Sequence, residues 1–67
     1  MMQENEHFAA LKILEESFEL VTTKRRVVEE GADLLAHMLM YLNAKNVPIA
    51  SILSELDIRA NKLKELE

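Results

Sequence analysis

The sequence contains no cysteine and no tryptophan, and it has only one glycine and one proline among 67 residues. The absence of cysteine excludes disulfides as a means of stabilising so small a protein. A chain of this length buries only about 60% of the surface that its unfolded form exposes, so its own core is marginal. We therefore expect a metal ion or a second chain to contribute to its stability.

Few turns are compatible with one glycine and one proline, and the abundance of Leu, Glu, Lys, Ala and Met favours helix over strand. The sequence predicts an all-α fold with a single domain over residues 1–67 and helices at about 5–22, 25–44 and 48–63. Asn46 suits a left-handed stop at the end of the second helix. Pro48 suits the first turn of the third helix, which together with a helical hairpin completes the predicted fold.

The charge balance is acidic, with twelve Asp and Glu against eight Lys and Arg. Binding of nucleic acid requires clustered positive charge, so a nucleic-acid partner is disfavoured. No apolar run approaches the roughly 20 residues that span a bilayer, and the start of the chain does not resemble a secretion signal. We expect a soluble cytoplasmic protein that has no membrane partner.

The second predicted helix is apolar around almost its whole circumference, which is typical of a buried helix. Its apolar residues are Val27, Val28, Leu34, Leu35, Met38, Leu39, Met40, Tyr41 and Leu42. One polar stripe interrupts them, formed by Glu30, Asp33 and His37. A single chain cannot cover such a helix, so we expect a multi-helix bundle formed by a homodimer or homotetramer.

Two pairs of acidic residues lie symmetrically about the predicted turn. Glu16 and Glu19 share one face of the first helix, and Glu30 and Asp33 repeat the same spacing on the second. In an antiparallel hairpin Glu19 lies level with Glu30, and Glu16 lies level with Asp33. Four converging carboxylates repel one another unless they hold hard divalent cations. Mg²⁺ is the leading candidate, with Mn²⁺ as an alternative, and because Mg²⁺ usually shares its shell with phosphates, a nucleotide di- or triphosphate is the expected ligand.

The acidic segments resemble a known family. Residues 15–19 (EESFE) and 30–33 (EGAD) resemble the EExxE…ExxD signature of the all-α nucleotide pyrophosphohydrolases, the MazG-like superfamily. Residues 12–16 (KILEE), 29–37 (EEGADLLAH) and 46–56 (NVPIASILSEL) are similar to KVGEE, EEAADLLYH and GVSxxxVxxEL of the phosphoribosyl-ATP pyrophosphatase branch, which acts in histidine biosynthesis. Leu14, Ala36 and Pro48 depart from the Gly, Tyr and Ser usual in that branch. Only ten residues precede Leu11, so we expect the family's usual extra N-terminal helix to be lacking.

This resemblance implies a Mg²⁺-dependent enzyme that cleaves between the α- and β-phosphates of a nucleotide and releases pyrophosphate. It implies phosphoribosyl-ATP as the first-choice substrate and a (d)NTP as the second. The implied metal ligands are Glu16, Glu19, Glu30 and Asp33. Glu15 is the candidate catalytic residue, either as general base or as support for the ligands, and Lys12 is the candidate for binding a substrate phosphate.

Simpler interpretations remain open for each of these features. Acidic residues on the first helix alone are equally typical of a solvated face. His37 is more often a packed or hydrogen-bonded histidine than a metal ligand, and Met38 and Met40 are typical of core packing. For the whole chain, the alternative function is a non-catalytic helical oligomerisation or regulatory module that derives from the same family.

Overall fold

The computed structural model describes residues 4–65, which form three helices and no strand. Helix α1 spans Glu4–Thr22, α2 spans Val27–Ala44 and α3 spans Ile49–Glu65. The all-α prediction and the three expected helices are confirmed, whereas the ends of the predicted domain, residues 1–3 and 66–67, lie outside the described residues. None of the helices formed by residues 4–65 is long and apolar enough to span a membrane.

The connection between α1 and α2 is a compact turn over residues 23–26. The N–H of Thr23 donates to the carbonyl of Glu19 at 2.9 Å and so extends the end of α1. The hydroxyl of Thr23 then accepts a hydrogen bond from the N–H of Arg26 at 3.1 Å. Because this side-chain bond holds the turn in a non-helical conformation, α2 begins at Val27, two residues later than the expected residue 25.

The antiparallel pair α1 and α2 is the only extensive helix contact among the described residues. Ala9 is completely buried there, and its small side chain permits close approach of the two helices. The other buried side chains of this interface are all acidic, namely Glu6, Glu16 and Glu30. Large apolar residues of α1 lie on the opposite side, where Leu14, Phe18 and Val21 are 69%, 68% and 79% exposed. The most deeply buried part of the hairpin interface therefore consists of Ala9 and three carboxyl groups, and apolar residues such as Ile13, Leu34 and Leu42 are only half-buried.

An ion pair closes the open end of the hairpin. The ammonium group of Lys45, just beyond α2, contacts the buried carboxylate of Glu6 near the start of α1. The hydrogen bond to Glu6 and the negative charge of that carboxylate raise the pKa of Lys45. This contact fixes the register of the two helices at the end away from the turn.

Helix α2 ends in a Schellman motif, in which Asn46 has a φ of 60°. The N–H of Asn46 donates to the carbonyl of Asn43 at 3.1 Å, and the N–H of Val47 donates to that of Leu42 at 2.9 Å. The predicted left-handed stop at Asn46 is thus confirmed. Pro48 follows, and its carbonyl accepts the first hydrogen bond of α3, from Ser51 at 3.0 Å.

Helix α3 has no buried residue and makes only slight contact with the hairpin. An open apolar groove of about 390 Å³ lies along the hairpin, and its lining includes Ile13, Leu34, Met38, Leu42 and, from α3, Ile52. Large apolar side chains on all three helices remain exposed, including Leu35 at 55% and Leu53 at 58%. A single chain therefore leaves α2 uncovered along most of its apolar circumference.

Replacing Asn46 tests the cap of α2. We expect Asn46→Ala to destabilise the fold by about 1 kcal/mol, because alanine adopts the left-handed conformation only with strain. Asn46→Gly should leave the stability nearly unchanged or raise it slightly, since glycine adopts that conformation freely. Urea unfolding of both variants measures the difference, and equal losses for the two would contradict a left-handed Asn46.

Candidate metal site on the helical hairpin

The turn end of the hairpin brings two carboxyl groups together. Glu19 on the last turns of α1 and Glu30 on the first turns of α2 lie within hydrogen-bonding reach of each other. Glu30 is only 9% exposed, and its buried Oε2 has no hydrogen-bond partner among the described residues. Ionised carboxylates only accept hydrogen bonds, so Glu19 and Glu30 form a hydrogen bond only when they share a proton, and otherwise they repel each other unless a cation lies between them. The predicted level pairing of these two residues is therefore present.

The surroundings of Glu30 disfavour the ionised form of its carboxyl group. The pKa of Glu30 is raised above its usual value, first by the hydrogen bond with Glu19, then by burial, and then by the charge of Glu19. The carboxylate of Asp33 raises it further, whereas the guanidinium of Arg26 lowers it. Glu19, Glu30 and Asp33 thus repel one another across the two helices, and a divalent cation relieves repulsion of this kind.

Glu16, the other proposed metal ligand on α1, has a different partner. Glu16 is buried, and its Oε1 and Oε2 lie 2.9 and 3.0 Å from Nδ1 of His37 on α2. The same nitrogen lies 3.0 Å from the backbone carbonyl of Asp33. Since ionised carboxylate and carbonyl oxygens only accept, Nδ1 carries the hydrogen and donates it. Glu16 is therefore paired with His37, while the side chain of Asp33 is exposed.

His37 is half-buried and hydrogen-bonded, but its partner Glu16 could not be predicted from the sequence. The available signal was its place on the polar stripe of α2, four residues after Asp33. The edge of the Phe8 ring completes its surroundings, with ring centroids 5.8 Å apart and the planes at 70°. This histidine connects both helices near the acidic residues.

Lys12 and Glu15, the remaining two candidate site residues, contact each other. Nζ of Lys12 lies 3.4 Å from Oε2 of Glu15, one turn along α1, and both side chains are substantially exposed. Nζ of Lys12 also lies 6.0 Å from the centre of the Phe8 ring. A pair this exposed contributes about 0–1 kcal/mol to stability, so either partner is readily released to another ligand.

The structure groups the candidate ligands as two pairs rather than as one centre. Glu19 lies with Glu30, and Glu16 lies with His37. Within residues 4–65, no set of three or more histidine, aspartate or glutamate side chains is arranged to hold a metal ion. The chemistry of the Glu19 and Glu30 pair fits a hard cation nonetheless, because Glu30 presents a buried oxygen without a donor.

Comparison with known proteins identifies relatives of the whole hairpin and of α3. A phosphoribosyl-ATP pyrophosphatase of Sulfolobus acidocaldarius is 34% identical over 67 residues, which cover 92% of this chain and 70% of the relative. The chain belongs to the phosphoribosyl-ATP pyrophosphatase family. No family model matches it, and no solved structure matches it.

Two further phosphoribosyl-ATP pyrophosphatases support this membership. The protein of Pyrobaculum neutrophilum is 41% identical over 58 residues, 79% of this chain and 62% of the relative. The protein of Rhizobium meliloti is 37% identical over 59 residues, 81% of this chain and 55% of the relative. The chain thus spans about three fifths of the length of the Pyrobaculum relative.

The raised pKa of Glu30 predicts a specific pH dependence of stability in metal-free buffer. A raised carboxyl pKa means that the folded state binds the proton more tightly, so stability falls as pH rises from about 4.5 through the folded pKa. Glu30→Gln removes this charge, and we expect it to raise the melting temperature at pH 7 but not at pH 4. Circular dichroism with a chelator present measures both values.

Glu29→Gln is the matched control, because it removes the same charge from an exposed position in the same helical turn. It should give no comparable gain at pH 7. An equal gain from both variants would show that the net charge, and not the contact with Glu19, limits stability.

Proposed function

We propose that this chain is a subunit of a Mg²⁺-dependent enzyme that cleaves the α–β phosphate bond of a nucleotide, with phosphoribosyl-ATP as the first-choice substrate. The observation that carries this proposal is the buried Glu30, whose carboxyl group neighbours that of Glu19 and whose Oε2 has no hydrogen-bond partner among the described residues, in a chain of the phosphoribosyl-ATP pyrophosphatase family. An acidic pair that costs stability in the free chain is retained most simply because it binds a cation. The products are pyrophosphate and phosphoribosyl-AMP.

The proposed metal ligands are Glu16, Glu19, Glu30 and Asp33. A bound Mg²⁺ or Mn²⁺ supplies positive charge that polarises a phosphoryl oxygen and lowers the pKa of water. Glu19 and Glu30 offer their facing oxygens, and Glu30 is held by burial. Asp33 is exposed on the same stripe of α2 and adds negative charge at Glu30.

Lys12 and Glu15 act together in this proposal. Their ion pair is exposed and weak, so a substrate phosphate competes effectively with Glu15 for the Lys12 ammonium. Binding of the phosphate then leaves Glu15 without its cation and able to accept a proton from the attacking water. Lys12 would thus bind the substrate, and Glu15 would serve as general base only once the substrate is present.

The alternative function, a non-catalytic oligomerisation or regulatory module, is favoured by one observation. The described residues bring no three metal-ligating side chains together. Both functions require the exposed apolar faces of α2 and α3 to be covered, so assembly does not separate them. The response to a divalent cation distinguishes the enzyme from the module.

Titration with Mg²⁺ tests the metal site. A ligand that binds only the folded state at ten times its dissociation constant stabilises by about 1.4 kcal/mol, which raises the melting temperature of so small a chain by several degrees. We expect this rise for the wild type and its loss in Glu30→Gln. The module predicts no rise for either protein.

Pyrophosphate release tests the reaction. With Mg²⁺ present, we expect release from phosphoribosyl-ATP, and Asp33→Asn should reduce it at least tenfold through weaker metal binding. A panel of (d)NTPs identifies the second-choice substrate if phosphoribosyl-ATP is not cleaved. A wild type that binds Mg²⁺ but cleaves no member of the panel would contradict the proposed enzyme.

We also propose that the chain functions as a homodimer or homotetramer, because the apolar surfaces of α2 and α3 are exposed in a single chain. Leu35→Lys places a charge on the exposed face of α2 and should weaken assembly, whereas Ser54→Lys on the exposed surface of α3 serves as control. Sedimentation velocity measures the change. Identical monomeric profiles for the wild type and both variants would contradict assembly.

A further inference from the structure

The side chain of His37 connects an acidic residue of α1 to an acidic residue of α2. The imidazole of His37 lies on α2, and its Nδ1 donates to Glu16 on α1 and lies 3.0 Å from the backbone carbonyl of Asp33. Glu16 and Asp33 are both proposed ligands on different helices. Among residues 4–65, the side chain of His37 is the one within hydrogen-bonding distance of both residues.

The distances determine how Glu16 is held. Nδ1 of His37 lies almost equally far from the two carboxylate oxygens, at 2.9 and 3.0 Å. A donor in this position shares its hydrogen between both oxygens and so fixes the plane of the carboxylate as well as its location. The lone pairs directed away from His37 remain available, since each ionised carboxylate has about four acceptor sites.

His37 is itself held from two sides. The Asp33 carbonyl accepts from the same Nδ1, which selects the tautomer that donates toward Glu16. The Phe8 ring lies edge-on to the imidazole and restricts its rotation. Both His37 and Glu16 are largely shielded from water, which strengthens the hydrogen bond between them.

We propose that His37 is a positioning residue of the metal site, which orients the carboxylate of Glu16 toward the cation through its Nδ1–H. This inference rests on the proposed function, because it assigns a role toward the proposed ion. Groups that hold a ligating carboxylate in place typically contribute 10- to 100-fold to metal affinity. Nδ1 of His37 is not available to the cation in this arrangement, since it is occupied by Glu16.

Metal binding by three variants of His37 tests the role without any substrate. His37→Asn retains a donor close to the position of Nδ1, whereas His37→Gln carries its amide farther out and His37→Leu has no donor. We expect the dissociation constant for Mn²⁺, measured by calorimetry or by electron paramagnetic resonance, to rise 10- to 100-fold in the Gln and Leu variants. The Asn variant should remain within about threefold of the wild type.

His7→Leu is the matched control, because His7 lies exposed on α1. It should bind Mn²⁺ as the wild type does. Should His37→Leu fail to fold, the polar Asn and Gln variants still give the comparison, since a merely structural role for the histidine would not rank them by the position of the donor.

The outcomes separate this inference from the proposed function. If the wild type binds neither Mn²⁺ nor Mg²⁺, both the metal site and the role of His37 are overturned. If the wild type binds and all His37 variants bind equally well, only the positioning role is overturned. A weakened Gln variant beside a nearly unaffected Asn variant supports it, and the effect should disappear in a Glu16→Gln background because the oriented carboxylate is gone.

Discussion

The contact between the Glu19 and Glu30 carboxyl groups is the constraint on which the rest of this structure depends. Among residues 4–65, three of the four buried side chains are glutamates, and all three lie on the hairpin, where burial of a charge requires a partner. Glu6 pairs with Lys45, which lies just beyond α2, and Glu16 pairs with His37, which lies on α2. Glu30 instead lies beside a second carboxyl group, that of Glu19. The acids at the open end and in the middle of the hairpin thus have partners within the chain, whereas the pair at the turn end is the one for which we propose a cation.

This distribution also explains the unusual packing of a helical chain with 49% hydrophobic residues. The fully buried positions between α1 and α2 are taken by Ala9 and by acidic side chains, and most of the large apolar residues remain half-buried or exposed. Burial of apolar area is the main favourable term in folding, and the hairpin alone obtains little of it. The proposed site and the proposed assembly therefore depend on the same two helices. Their buried positions hold acidic side chains, and their exposed positions hold leucine, valine and phenylalanine side chains that a second chain could cover.

Family membership and site geometry support the same function by independent routes. The identity of 34% with the Sulfolobus acidocaldarius phosphoribosyl-ATP pyrophosphatase extends over nearly the whole chain and includes no information about side-chain placement. The raised pKa of Glu30 and the pairing of Glu16 with His37 come from placement alone. The chain nevertheless spans only part of the length of the Pyrobaculum neutrophilum relative, at 62%.

The sequence by itself determined the local structure of this protein. The composition, with one glycine and one proline, predicted three helices. Asn46 predicted the left-handed end of α2, and equal distances from the turn predicted Glu19 beside Glu30. These succeed because helix formation, capping and the register of a short hairpin depend on residues close together in the chain.

Only the tertiary structure decided which face of α1 lies inward and which partner each acid takes. Periodicity shows which side chains share a face, but contacts with residues far away in the chain determine whether that face meets a helix or water. Glu16 could not be assigned to His37 from the sequence, since a flexible side chain selects its partner by distance and available donors in three dimensions. The physical reason is the same in both cases: burial and hydrogen bonding between helices are properties of their packing, not of either helix alone.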